Sequence, residues 1–232
     1  LNVSPLGAGA AAGTSLPIDP AITAAALGFD RTFENSIDAV GSRDLVAEYA
    51  FCCAQAMTHL SRLAEEIVLW STSEFGWITL DDAYATGSSA LPHKKNPDIA
   101  ELTRGKAAAV AGDLATLLGI QKGTPLAYNR DLQEDKRAVF HADDTLAAAL
   151  PAIGGLLSTA AFHPPPPDER TGALETAEQL VREGTPFREA HEAVGKALST
   201  GGVGPANVVD LGARRTAAVA GQVAQLRSAL AQ

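Results

Sequence analysis

Cysteine is nearly absent from this chain: Cys52 and Cys53 are the only two in 232 residues. They are neighbours in a helical stretch, where adjacent side chains diverge by about 100°. A bridge between them is not expected, and two thiols make no disulfide framework, so a reducing cytoplasm is expected. Both are expected to be buried and inert. No third and fourth ligand stands at zinc spacing, and none of the five histidines falls in a metal pattern, so no metal is expected. Basic residues are also in deficit. Lys and Arg number 18 against 27 Asp and Glu, a formal net charge of −9, which speaks against nucleic acid or an anionic membrane as partner. Long apolar runs are missing too. Residues 1–18 and 145–162 are uncharged, but Pro5, Pro17, Pro151, Gly154 and Gly155 break them, so no span and no signal peptide are expected. The first residue is Leu1 rather than Met, so the chain is expected to begin partway through a longer protein.

What is present is an ordinary globular composition, 46% hydrophobic and 19% charged, with aromatics giving way to alanine. Small side chains favour closely packed helices over a sheet of Val, Ile and Tyr. Leu45, Tyr49, Cys52, Ala56, Leu60, Leu63, Ile67 and Trp70 recur at spacings of three and four, which predicts one long helix capped by Ser42. Asn96-Pro97-Asp98 predicts a second, with Asn96 as cap, running toward Gly123. Asp131 and Glu134 form a capping-box pattern for a third, with Val139, Leu146, Leu150, Ile153 and Leu157 on its apolar face and a kink at Pro151. The prolines 164–167 mark a boundary. Short helices are predicted at 173–183 and 186–198, with Gly184 stopping the first and Thr185-Pro186 starting the second. After a glycine-rich break at 201–204 comes a last one carrying Val219, Val223, Leu226 and Leu230. No stretch alternates convincingly as a strand. The expected fold is therefore all-α: a central long-helix bundle domain over 1–163 and a small helical domain over 164–232.

Chemistry concentrates in Thr86-Gly87-Ser88-Ser89-Ala90-Leu91-Pro92-His93-Lys94-Lys95-Asn96-Pro97. Gly87 and two serines make a turn whose amides can face a ligand, and Lys94 and Lys95 stand just before a helix N-terminus. Amides, dipole and lysines together suit a carboxylate. The segment resembles the flexible catalytic loop of the fumarase and aspartase superfamily, and two lysines before Asn-Pro-Asp resemble its argininosuccinate lyase branch. Leu126 to Lys136, Asn35-Ser36-Ile37-Asp38-Ala39 and Pro186-Phe187-Arg188-Glu189-Ala190-His191 are similar to that branch as well. His93 and Leu91 depart from its usual glutamine and methionine.

The resemblance implies β-elimination of argininosuccinate to fumarate and arginine, a step of arginine biosynthesis and the urea cycle, with no metal or organic cofactor. It implies that Ser88 takes the proton and that Lys94 stabilises the doubly charged carboxylate of the intermediate. Glu101 would orient a catalytic histidine from another subunit, while Asn96, Tyr128, Gln133 and Lys136 bind substrate. It further implies a homotetramer whose sites each draw on three chains, and an N-terminal part, absent here, carrying that histidine. The C-terminal part is shorter than the branch around 164–171 and 199–214. Two alternatives remain at this level: another fumarate-releasing lyase acting on a different N-substituted aspartate, or a non-catalytic crystallin-like homologue.

Overall fold

The computed structural model describes residues 2–91, 94–163, 165 and 169–200. His93, most of the proline run, the 201–204 break and the helix expected around 219–230 lie outside them. The chain divides into two compact units, Leu1–His163 and Pro164–Gln232.

Three long helices dominate the first unit: α3 (Asp44–Trp70), α4 (Asp98–Gln121) and α5 (Asp135–Thr159). Ala50, Leu117 and Ala138 meet at one end. Cys53, Met57, Val110, Ala142 and Ala149 fill the middle, and Ala64, Ile67, Ala100 and Leu156 the other end. The numbers rise along α3 and α5 as they fall along α4, so α4 runs antiparallel to both. Alanine at so many contacts lets the backbones approach closely, as the composition implied. Shorter helices α1 (Pro20–Ala26) and α2 (Ser36–Gly41) precede the bundle. Asp19 caps α1 through the Ala21 amide at 2.9 Å. Asn35 Oδ1 accepts the Ile37 and Asp38 amides at 2.9 and 3.2 Å to start α2.

Several expectations need correction. The inward seam of α3 is Ala50, Cys53, Ala54, Met57, Ala64 and Ile67. Ile67 is as predicted and Leu60, Leu63 and Trp70 pack against it, but over the first half of the helix the seam is rotated by about one residue. Leu45 and Tyr49 are 54% and 43% exposed, and Cys52 is exposed while Cys53 is buried. The helix is apolar on two faces, and spacing alone cannot say which face meets its own chain. On α5 the buried residues are Asp135, Ala138, Ala142, Thr145, Ala149, Ile153 and Leu156; Ile153 is as predicted, but Leu150 is exposed, and small residues again dominate the contact. Ser42 ends α2 rather than capping α3; its Oγ still accepts the Asp44 amide at 3.3 Å. Asn96 lies in a strand, leaving Pro97 before α4 without a side-chain cap. Asp131 and Glu134 sit in a 3-10 turn, Arg130–Glu134, so α5 starts only at Asp135 and no capping box forms.

Strands do occur, as three two-residue pairs. β1 (Val3–Ser4) runs parallel to β2 (Arg31–Thr32). β3 (Ile78–Thr79) pairs with β6 (Ala161–Phe162), and β4 (Thr86–Gly87) with β5 (Lys95–Asn96), both antiparallel. Pairs this short carry no alternation to read. In the second unit, α6 (Ala173–Arg182) and α7 (Phe187–Ser199) pack through Ala177, Ala190 and Val194. Gly184, at φ +101, reverses the chain between them, a conformation that costs glycine little. Pro186 precedes α7, and Thr185 supplies no cap.

Candidate active site

The loop that carries Ser88 is the connection of the β4–β5 hairpin. Thr86 faces Asn96 and Gly87 faces Lys95, so both ends of residues 88–94 are tied together just before α4. Ser88 is half-buried, and its Oγ accepts the amides of Ala90 at 3.3 Å and Leu91 at 3.1 Å. Two donors on one hydroxyl oxygen stabilise its deprotonated form, which a serine acting as base requires. Lys94 is exposed, with its own amide bonded to the Leu91 carbonyl at 3.0 Å. Lys95 instead forms an ion pair with Asp82. Among the described residues Lys94 forms no ion pair, which leaves its ammonium available to an anion. Asn96 is half-buried in β5, and Glu101 is exposed in the first turn of α4.

A second group gathers between α4 and α5. Gln133 Nε2 donates to the Tyr128 hydroxyl at 3.0 Å, so these two act as one polar unit. Gln133 belongs to the 3-10 turn and Lys136 to the first turn of α5. Lys136 Nζ donates to Asp135 Oδ1 at 2.9 Å, and Arg43 Nε to Asp135 Oδ2 at 2.5 Å. Burial pushes the Asp135 carboxyl up. The hydrogen bonds and charges of Lys136 and Arg43 outweigh it and hold the group below its ordinary range. Ala127, just before Tyr128, has φ +74, and its carbonyl lies so near Gly41 that a Cβ there would approach it to 2.8 Å.

Within one chain these two groups are far apart. The hairpin precedes the Asp98 end of α4, whereas Leu117 at the other end packs with Ala138, two residues beyond Lys136. The 24 residues of α4 span about 36 Å at 1.5 Å per residue. A single small substrate cannot touch both groups of one chain.

The Lyase family matches residues 1–112, and the Argininosuccinate lyase C-terminal family matches residues 171–206. Argininosuccinate lyase of Frankia casuarinae is 58% identical over 203 residues, covering 85% of this chain and 44% of that protein. The chain belongs to the argininosuccinate lyase family. A crystal structure of EDDS lyase in complex with formate is also similar, at TM-score 0.71 and 37% identity over 87% of this chain and 42% of the other. Recombinant class II fumarase from Schistosoma mansoni shares the fold, with TM-score 0.65 and 16% identity over 87% and 47% of the two chains. The all-α bundle is thus of the fumarase and aspartase type. The chain spans less than half the length of the Frankia argininosuccinate lyase it matches.

Other polar contacts lie along the bundle of this argininosuccinate lyase family member. His141 Nδ1 meets Asp113 at 2.6 Å. Tyr49 donates to Asp143, and that bond, aided by burial, raises the phenol well above its ordinary range. Burial raises the Cys53 thiol. Among the described residues, no three of His, Cys, Asp and Glu converge as a metal site, and no helix is long and apolar enough to cross a membrane. Sequence reasoning missed Gly41, Arg43 and Asp135. Arg43 and Asp135 are 92 positions apart, and no local pattern links them; Asp135 was visible only as part of the Leu126–Lys136 resemblance.

Proposed function

We propose that the protein to which this chain belongs is an argininosuccinate lyase, releasing fumarate and arginine by anti elimination. Ser88, as alkoxide, takes the proton from the carbon next to the one bearing nitrogen. Its electron pair becomes the carbon–carbon double bond as the C–N bond breaks, and the nitrogen leaves as arginine after taking a proton. The negative charge that builds on the adjacent carboxylate meets Lys94. Asn96, Tyr128, Gln133 and Lys136 bind substrate, and Glu101 orients the histidine that a second subunit brings. In this reading the reaction uses no metal or organic cofactor and takes place in the cytoplasm. Unit one is the central bundle domain and unit two the small C-terminal domain.

The observation that carries the reading is 58% identity to an argininosuccinate lyase. The paired loop amides on Ser88 Oγ agree with it. Assembly as a homotetramer with shared sites is supported by the separation of the two groups within one chain. It is also supported by large apolar residues left bare on each long helix: Leu45 and Phe51 on α3, Leu102 and Leu118 on α4, Phe140 and Leu150 on α5. Residues of these sizes at these exposures need a cover.

A second reading is favoured by the likeness to EDDS lyase, namely a fumarate-releasing lyase with another amine as leaving group. Fumarate formation from argininosuccinate and from EDDS, measured side by side on the intact protein, separates the two. Argininosuccinate should be the faster substrate, and Ser88→Ala should lower its turnover by several orders of magnitude without unfolding the protein. Retention of more than about a tenth of the rate would remove Ser88 from the mechanism.

A further inference from the structure

We propose that Arg43 and Asp135 are positioning residues for Lys136, acting as a buried electrostatic mount that aims its ammonium without cancelling its charge. The inference rests on the reading that Lys136 binds an anionic substrate. Lysine is a point charge on a long flexible stem, and by itself it does not hold one direction. Here the side chain is 61% exposed, yet its Nζ is tied to Asp135 at 2.9 Å. The Asp135 side chain is only 8% exposed, and its second oxygen is taken by Arg43, itself 17% exposed. Arg43 is fixed in turn by donating to the carbonyls of Ser42 at 2.8 Å and Val40 at 3.3 Å.

Two cations share one carboxylate, so the cluster keeps one positive charge. With Asp135 and Lys136 alone that charge would vanish. One ammonium proton goes to Asp135, and two remain for a ligand. Two residues before Arg43, Gly41 lies against the Ala127 carbonyl, next to Tyr128. The stretch from Gly41 to Arg43 is thus the bracket on which residues 127–136 are mounted. Arg43 itself need not touch substrate.

The test uses the intact protein and two readouts. First, the rate at which an amine-reactive acylating reagent labels Lys136, followed by mass spectrometry, requires no substrate. Asp135→Asn releases the ammonium and should speed labelling several-fold. Arg43→Met leaves Asp135 to Lys136 alone and should slow it several-fold. General loosening of the fold would move both variants in the same direction, and that outcome overturns the proposal. Second, Arg43→Met should raise KM for argininosuccinate about tenfold with kcat within about threefold, and Arg43→Lys should restore most of the loss. In a Lys136→Met background, Arg43→Met should add less than about twofold, since the group it serves is gone. Independent, multiplying effects overturn the proposal. Should Arg43→Met fail to fold, Arg43→Gln, which also removes the charge, takes its place in both backgrounds and is read by the same rule. Absence of any turnover by the wild type sinks the lyase reading, while unchanged labelling in both variants sinks this one.

Discussion

Asp135 is the residue at which burial and charge compete most openly. Its carboxyl is nearly covered, a circumstance that by itself favours the neutral acid, yet Lys136 and Arg43 hold it ionised below the ordinary range. A carboxylate with a depressed folded-state pKa contributes stability that is present above its unfolded value, about 3.9. That contribution is lost as pH falls through the folded value. Asp135→Asn should therefore cost about 1–3 kcal/mol at neutral pH. The gap to wild type should close progressively below about pH 4. Urea unfolding of both proteins across that window checks the sign; a gap that widens toward acid would refute it. Ser88 poses the complementary case. Its candidacy as the base was legible from Gly87, the lysines and the family likeness, while the two amides on its oxygen were not, because they depend on the pairing of β4 with β5.

At the scale of the element, what the sequence made plain was that α3, α4 and α5 exist and are long; what it hid was their facing. Leu45, Tyr49 and Cys52 recur at helical spacing as regularly as Val46, Ala50 and Cys53, and only the partner decides which stripe turns inward. Alanine was the clue that periodicity undervalues: Ala50, Ala54, Ala64, Ala107, Ala142 and Ala149 are buried because helices close on small residues. Starts were misread for a similar reason. Ser42, Asn96 and Asp131 are good caps locally, but the hairpin claims Asn96 and a 3-10 turn claims Asp131. The rotated seam makes a direct prediction. Met57 is fully buried between the helices, so Met57→Ala should cost about 2–5 kcal/mol. Leu45→Ala, on the outward stripe, should change subunit association more than the unfolding of one chain. Denaturant titration alongside light scattering distinguishes the two, and a reversed ranking would show that the seam is misassigned.

For the whole molecule the deciding fact is a length. About 36 Å of α4 stands between the Ser88 hairpin and the Tyr128–Lys136 group, so one small substrate cannot reach both within one chain. Nothing in the sequence conveys this separation, since it needs the antiparallel course of α4 between α3 and α5. The proposed elimination would also need a proton for the departing nitrogen, help typically worth about 10²–10⁴ in rate. In our reading the group that supplies it lies outside these residues, which cover 44% of the Frankia relative. Residues 1–232 expressed alone should therefore form no measurable fumarate, and activity comparable to the intact protein would require the acid to be sought within them.

Mixing two disabled forms of the intact protein probes the central claim most directly. Ser88→Ala spoils every hairpin and Lys136→Met every Tyr128–Lys136 group, so each alone should be nearly inactive. Unfolded together in equal amounts and refolded, the two chains assemble at random. If each site takes its hairpin from one copy and its Lys136 from another, about a quarter of the sites receive both intact groups. Fumarate formation should recover toward that fraction of the wild-type rate. Mixed assemblies, verified by mass, that stay as inactive as their parents would contradict the account, for they would place both groups of a working site on one chain.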